Sequence, residues 1–320
     1  MKITILTARD IEAALSMRDA IEVMRSAFAQ LADGEAELPL RSHLPTAGGV
    51  TLVMPAYLQR SRALGIKVVS VNEGNASRGL PVVNAVVLAV DPQTGVPAAL
   101  LEGSRLTALR TGAIGGLAAD LLSRSESARV TLFGAGVQGR SQLEAVCCVR
   151  DIQQVTVIDR SEAAARRLAQ EVAAWPGAPA TRVVADPREA IRDADIVIAA
   201  TTSRTPLFDG RELAPGTHVT GIGSFTPEMQ EIDAETVRRA RVVVDQRDAC
   251  LAEAGDLIQA GASIDAEIGE VVTGRKAGRS APEEITFFKS VGVAVQDAAA
   301  AAAVLAAARE KKLGRQVDLS

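Results

Sequence analysis

The stretch Val130-Thr131-Leu132-Phe133-Gly134-Ala135-Gly136-Val137-Gln138-Gly139, running on into Arg140-Ser-Gln-Leu-Glu-Ala, decides how this chain is read. Its first four residues predict a buried strand, and the glycines that follow form a G-x-G-x-x-G turn that opens a helix. Each glycine has a physical task in such a turn. Gly134 permits the tight reversal, Gly136 lets backbone N–H groups approach a diphosphate, and Gly139 lets the helix lie close to the strand, while the helix start adds partial positive charge. Asp159 ends the next predicted strand, 23 residues beyond Gly136, where a carboxylate can accept from a ribose hydroxyl. The pattern points to a dinucleotide site; the competing reading is a glycine-rich turn without a ligand.

Downstream, strand and helix alternate. Strands are predicted at 130–133, 155–158, 182–184, 196–200, 218–221 and 242–244, with helical segments between most of them. Six such strands predict an α/β fold with a doubly wound parallel sheet of the Rossmann kind. A further strand at 285–288 precedes an alanine-rich helix over about 293–310, too late in the chain to belong to the six-strand unit. Asp159 favours the unphosphorylated cofactor NAD, whereas Arg160 and Ser161 directly after it suit the 2′-phosphate of NADP, and the residues leave both open. Thr201 and Thr202, ending the fourth strand, and Ser224, after the fifth, fall at the carboxyl edge where open sheets bind ligands. Their competing reading is ordinary loop.

Upstream, Thr7-Ala-Arg-Asp10 and Ser16-Met-Arg-Asp19 are cap signatures that predict two N-terminal helices. From 50 to 101 the texture is β-branched with turns between runs, which predicts an antiparallel sheet with at least one hairpin, and a helix follows over about 104–122. Two cations are out of place in this part. Lys67, in Ala-Leu-Gly-Ile-Lys-Val-Val-Ser-Val (63–71), shares a strand face with Ala63, Gly65, Val69 and Val71. A lysine there binds an anion or delivers a proton, unless it is an edge-strand lysine reaching water along its stem. Arg110 interrupts the helical stripe Leu106, Ala113, Leu117, Leu121, and needs a carboxylate opposite, from a substrate or from the protein itself. Arg41, in Leu-Pro-Leu-Arg-Ser-His-Leu-Pro, is expected in a loop ahead of the sheet and is a third cation. Together they suit a small carboxylate substrate.

The chain has 320 residues, 48% hydrophobic and 23% charged, with a net charge of −4. That length suggests two domains, and scattered basic residues with an acidic balance argue against nucleic acid or an anionic membrane as partner. One Trp, one Tyr and six Phe give no stacking platform for single strands. Cys147, Cys148 and Cys250 lack metal-ligand or disulfide spacing, and two histidines exclude a His-rich zinc site, so no metal is expected. No run approaches a membrane span and the start lacks the apolar stretch of a signal peptide, from which a cytoplasmic location is expected.

Several stretches resemble the ornithine cyclodeaminase and μ-crystallin family: LPLRSHLP, LVMPAYL, LGIKVVSVN, TGVPAALLEG, LTALRTGAIGGLAA, FGAGVQGR, ADIVIAATTS, GSFTPEMQEID and ITFFKSVG. LTALRTGA, TPEMQEID and FKSVG are far more specific than the glycine pattern, and the likeness spans nearly the whole chain. It implies a mixed α+β substrate and dimerisation domain (1–122 and 291–320), a Rossmann domain (123–290), and a homodimer. It places the substrate carboxylate on Arg41, Lys67 and Arg110; Phe225 and Gly292 are further candidates for the substrate site. It places the dinucleotide, NADH or NADPH, on Gly134, Gly136, Gln138 and Asp159; Ala135, Val137 and Gly139 inside the loop, and Arg160, Ser161, Thr201, Thr202, Ser224 and Ser290, are the further candidates for holding it.

Two departures narrow the activity. Where the family's cyclodeaminases carry an Asp two residues before the Pro that follows the fifth strand, this chain has Phe225, which can neither take a proton nor hold an ammonium. The family's Thr after Gly-Leu-Pro is Val82 here. Both changes favour members that reduce a cyclic ketimine, Δ1-pyrroline-2-carboxylate or Δ1-piperideine-2-carboxylate, to proline or pipecolate. The alternatives are an ornithine cyclodeaminase, an alanine dehydrogenase-like enzyme, and a non-catalytic binder of crystallin type.

Overall fold

The computed structural model describes residues 1–320, with side chains at every position except Glu73 and Ala76. It divides into two units, Met1–Arg110 with Val293–Ser320, and Thr111–Gly292.

The first unit opens on strand β1 (Lys2–Leu6), which five residues at a chain start do not announce. Helices α1 (Ala8–Ala14) and α2 (Met17–Ala32) begin at the two cap signatures. Thr7 Oγ1 accepts from the Asp10 N–H while Asp10 Oδ2 accepts from the Thr7 N–H at 2.8 Å, and Ser16 Oγ accepts from the Asp19 N–H at 3.2 Å. These bonds satisfy donors that the first helical turn leaves open. Strands β2 (Ala36–Glu37), β3 (Ser42–Thr46), β4 (Gly49–Leu58), β5 (Ala63–Val71), β6 (Val83–Val90) and β7 (Pro97–Glu102) follow. From β3 to β7 each is antiparallel to the next. The expected loop around Arg41 is in part a strand. Thr46 pairs with Gly49 across Ala47-Gly48, a two-residue hairpin that turns residues 42–46 back along β4 and leaves Arg41 just before it. Helix α3 (Gly103–Leu122) carries the chain to the second unit.

The second unit alternates β8 (Arg129–Phe133), α4 (Val137–Val149), β9 (Gln154–Ile158), α5 (Glu162–Ala173), β10 (Ala180–Val183), α6 (Pro187–Ile191), β11 (Ile196–Ala199) and β12 (His218–Gly221). Then come α7 (Ala234–Arg239), β13 (Ala240–Val244), α8 (Arg247–Glu253), α9 (Gly255–Ala260), β14 (Ala266–Glu267), α10 (Ile268–Val272) and β15 (Ile285–Lys289). The sheet is parallel throughout, in the order β10-β9-β8-β11-β12-β15-β13-β14. Thus the doubly wound sheet is present, with one difference of order: the late strand β15 stands beside β12 and β13 lies outside it. The burial agrees with this, because every residue of β15 is buried whereas Ala240 and Arg241 of β13 are only partly so, and a strand covered on both faces lies nearer the centre. Strand order reverses between β8 and β11, and the crevice beyond their carboxyl ends is where such sheets bind ligands.

The chain ends in α11 (Ala294–Lys311) and β16 (Arg315–Asp318), which return to the first unit. There β16 pairs antiparallel with β1, and β1 pairs parallel with β7, giving the mixed order β16-β1-β7-β6-β5-β4-β2 with β3 on β4. Helix α11 packs across β4, β5 and β6. Among the described residues no helix is long and apolar enough to cross a membrane.

Candidate active site

Lys67 lies in the middle of β5, opposite Met54 of β4 on one side and Val87 of β6 on the other, and is 2% exposed. It is therefore not an edge-strand lysine. Two residues earlier, Gly65 lies against α11: a Cβ built there would come within 2.8 Å of the Cα of Ala298. Alanine on the helix and glycine on the strand let the two backbones meet, and this delivers the preceding helix residue, Asp297, to the lysine. Lys67 Nζ stands 2.7 Å from Asp297 Oδ2. Arg110 completes the group, its Nε donating to Asp297 Oδ1 at 3.1 Å and its Nη1 to Gln296 Oε1 at 2.5 Å.

All four side chains are buried. Burial pushes the Lys67 ammonium down to about 8, with Arg110 and Arg41 adding repulsion and Asp297 holding it up. Although burial works to raise the Asp297 carboxyl, Arg110 and then Lys67 hold it below the ordinary carboxylate range. Two buried cations thus share one carboxylate, with Arg41 adding a third positive charge felt at Lys67, and the excess positive charge in a poorly hydrated place attracts a small anion. Arg110 Nη2 makes no hydrogen bond among the described residues, so that end of the guanidinium is open to a carboxylate.

In the second unit, the loop after β8 has the shape its glycines require. Gly134 adopts φ +100°, and a Cβ there would strike the Ala200 carbonyl oxygen at 2.4 Å; one at Gly139 would meet the Gly134 carbonyl oxygen at 1.9 Å. Gly136 caps α4 without a side-chain hydrogen bond, and nothing lies within 4 Å of its missing Cβ. The first N–H groups of α4, from Val137, Gln138 and Gly139, have no acceptor one turn back within the helix. A diphosphate fits such a cradle. Asp159 closes the loop from β9: its Oδ2 accepts from the Ala135 N–H at 2.8 Å and its Oδ1 from the Ser161 N–H at 2.7 Å. Arg160 is exposed, and Ser161 Oγ caps α5 by accepting from the Ala164 N–H at 3.3 Å.

Buried acids tie down the neighbouring loops. Glu231 accepts from the Thr201 N–H with Oε1 at 2.5 Å and from the Gly223 N–H with Oε2 at 2.6 Å, joining the ends of β11 and β12 through one carboxylate. Asp256 accepts from the backbone N–H groups of Glu231 and Ile232 and lies 3.1 Å from Lys289 Nζ. Burial pushes the Glu231 carboxyl up, and Lys289 opposes that push. Asp245 Oδ2 accepts from Ser290 Oγ and from the N–H groups of Val291 and Gly292, fixing the segment after β15.

A family model described as the ornithine cyclodeaminase/mu-crystallin family matches residues 1–312. The chain belongs to that family. It is 38% identical to a Delta(1)-pyrroline-2-carboxylate reductase of Bacillus cereus, over 98% of this chain and 99% of the relative. Among solved structures, Thermococcus litoralis Delta(1)-pyrroline-2-carboxylate reductase in complex with NADH and L-proline superposes with a TM-score of 0.95 at 40% identity, covering 98% of this chain and 100% of that one. An archaeal alanine dehydrogenase, described as a dimer with bound NAD, gives a TM-score of 0.94 at 34% identity over the whole of both chains.

Within this ornithine cyclodeaminase and μ-crystallin chain, the structure brings Lys67 and Arg110 onto one carboxylate, with Arg41 near enough to act on the Lys67 charge. It gathers Gly134 to Gly139, Asp159, Arg160, Ser161 and Thr201 around the end of β8 and its neighbours, and Thr202 follows in an exposed position. Ser224 and Ser290 sit at the same edge, but their hydroxyls are buried and spent on Met229 and Asp245. What they offer a ligand is a fixed backbone rather than a side chain. Phe225 is 41% exposed in the loop after β12. Sequence reasoning missed Asp297, Gln296, Glu231, Asp256, Lys289 and Asp245. The first two carry a visible signal, a polar pair inside an otherwise apolar alanine-rich helix.

Proposed function

We propose that this chain is an NAD(P)H-dependent reductase of cyclic ketimines, converting Δ1-pyrroline-2-carboxylate to proline. One observation carries the reading: a buried lysine and a buried arginine share a single carboxylate and keep an excess of positive charge. The Bacillus relative and the relative holding NADH and proline support the substrate and the cofactor class. Arg110 and Arg41 hold the substrate carboxylate, and Lys67 faces the imine nitrogen. A bound reduced nicotinamide supplies the hydride. The chain supplies everything else: Arg110 Nη2 orients the carboxylate, the packed strand face keeps water away, and Lys67 Nζ gives a proton to nitrogen as the adjoining carbon is reduced. Positioning of this sort is worth several kcal/mol.

NADH is the proposed preferred cofactor, because the Asp159 carboxylate at the end of β9 repels a 2′-phosphate. A homodimer is proposed from the outer face of the first unit's sheet, where Leu44, Val68 and Val86 are 62%, 38% and 43% exposed, and the dimeric archaeal relative supports it. The experiment follows the absorbance of reduced nicotinamide with purified protein and Δ1-pyrroline-2-carboxylate, beside ornithine with NAD and pyruvate with ammonia. Rapid oxidation with the cyclic imine and none with the other pairs is the expected result. Proline and ammonia formed from ornithine would overturn the reading, since Phe225 has no group to handle the amine that must leave.

A further inference from the structure

We propose that Asp297 is a positioning residue for this reaction, acting through Lys67: it holds the ammonium beside the Arg110 guanidinium and so decides whether Lys67 carries the proton the imine nitrogen needs. The inference rests on the reductase reading and extends it to a residue that touches neither substrate nor cofactor.

The geometry carries the argument. One carboxylate spans both cations, Oδ2 to Lys67 Nζ at 2.7 Å and Oδ1 to Arg110 Nε at 3.1 Å, with all three side chains buried. The charged groups facing Lys67 are Asp297 from α11, Arg110 from α3 and Arg41 from the segment before β3; its partners on β4 and β6, Met54 and Val87, are apolar. Among the described residues, the charged groups acting on Asp297 are Arg110 and Lys67. Without the carboxylate, two buried cations would face each other with nothing between them. Arg110 cannot shed its proton, so the lysine would. Gln296 fixes the other side of the frame, because its Oε1 accepts from both Arg110 Nη1 and the Val293 N–H, which sets the sense of the amide.

The step balances. The carbon bearing the carboxylate receives the hydride, the C=N π bond breaks, and its electron pair takes the Lys67 proton to give N–H. Lys67 is left neutral and regains a proton from water, and Asp297 stays ionised throughout.

The test uses the full chain, labelled with 13C at lysine Cε and titrated by NMR; the chain has six lysines, and the signal lost in Lys67→Arg identifies Lys67. The wild-type midpoint is expected near 8. In Asp297→Asn it should fall by about one unit or more, and the alkaline limb of kcat/KM for the cyclic imine should move to lower pH with it, leaving activity at pH 8 down about fivefold or more. Asp297→Glu keeps the charge but displaces it, so the midpoint should stay within a few tenths while kcat drops, and this variant decides the question if Asp297→Asn does not fold. An unmoved midpoint in Asp297→Asn, or a moved midpoint with an unmoved limb, would overturn the proposal, as would wild-type kcat in Asp297→Glu. If wild-type protein does not turn over the imine while the Lys67 midpoint still depends on Asp297, the reductase reading fails and the hold of Asp297 on Lys67 stands.

Discussion

Gly65 of β5 and Ala298 of α11 meet backbone to backbone, with only 2.8 Å between the Cα of Ala298 and the place where a Cβ on Gly65 would be. The lysine–aspartate pair exists because of this approach. Gly65→Ala should push helix from strand, costing about 1–3 kcal/mol in urea unfolding, the usual range for overpacking. It should also lower kcat/KM more than the stability loss accounts for, because Asp297 moves with the helix. Wild-type activity in a correctly folded Gly65→Ala protein would show that the contact does not set the pair.

Lys67→Met tests the assignment of the proton donor. Turnover of the cyclic imine should fall by roughly two to four orders of magnitude, the ordinary worth of a positioned general acid. NADH binding, followed by its fluorescence, should keep its Kd, since Lys67 lies in the first unit and the glycine loop in the second. A kcat close to wild type removes Lys67 from the role.

Glu231→Gln puts an amide donor where a carboxylate now accepts two backbone N–H groups. One of those donors then faces another donor inside the protein, at a cost of about 1–3 kcal/mol. Because the affected groups are Thr201 and Gly223 at the carboxyl edge of the sheet, dinucleotide binding should weaken about tenfold while K67M keeps its own. Equal Kd values in titrations of Glu231→Gln and wild type would mean the tie serves folding alone.

Arg160→Ala separates the two cofactors. Arg160 is exposed directly after Asp159, and the test asks whether it holds a 2′-phosphate. A selective rise in KM for NADPH, with NADH unchanged, is expected from parallel assays; equal behaviour with both cofactors takes the phosphate away from Arg160.

His218 sets a pH dependence of stability. Burial first, then Arg279 and Arg150, push it down to about 3, while its ring nitrogens pair with Thr286 and Thr220 at 3.0 Å. The folded state therefore refuses a proton that the unfolded chain accepts below about 6.5. Stability from this group is full above that pH and is lost as pH falls towards 3, by about 1.4 kcal/mol per pH unit. Urea unfolding at pH 7 and pH 5 should show a smaller difference in His218→Gln than in wild type.

Much of this was legible in the chain. The glycine spacing, Asp159 and the alternation after residue 130 reveal the parallel sheet because a strand–turn–helix cradle has few sequence solutions. Lys67 and Arg110 stand out because each breaks an apolar pattern whose period is known. The place of β15 inside the sheet was not legible, since it carries Thr286 and Lys289, and the acid that lets the lysine be buried, Asp256, stands far away in the chain. The strand at residues 42–46 depends on a two-residue hairpin that composition alone does not reveal.

By itself the sequence determined the local chemistry: a glycine turn opening a helix, a carboxylate at the end of the next strand, and cations set among apolar neighbours. Only the tertiary structure decided what those cations face. Asp297 is 230 residues from Lys67 and 187 from Arg110, and no periodicity links positions so far apart. They meet because a helix built of alanine can lie against a strand at glycine, and because burying two cations together requires a carboxylate between them.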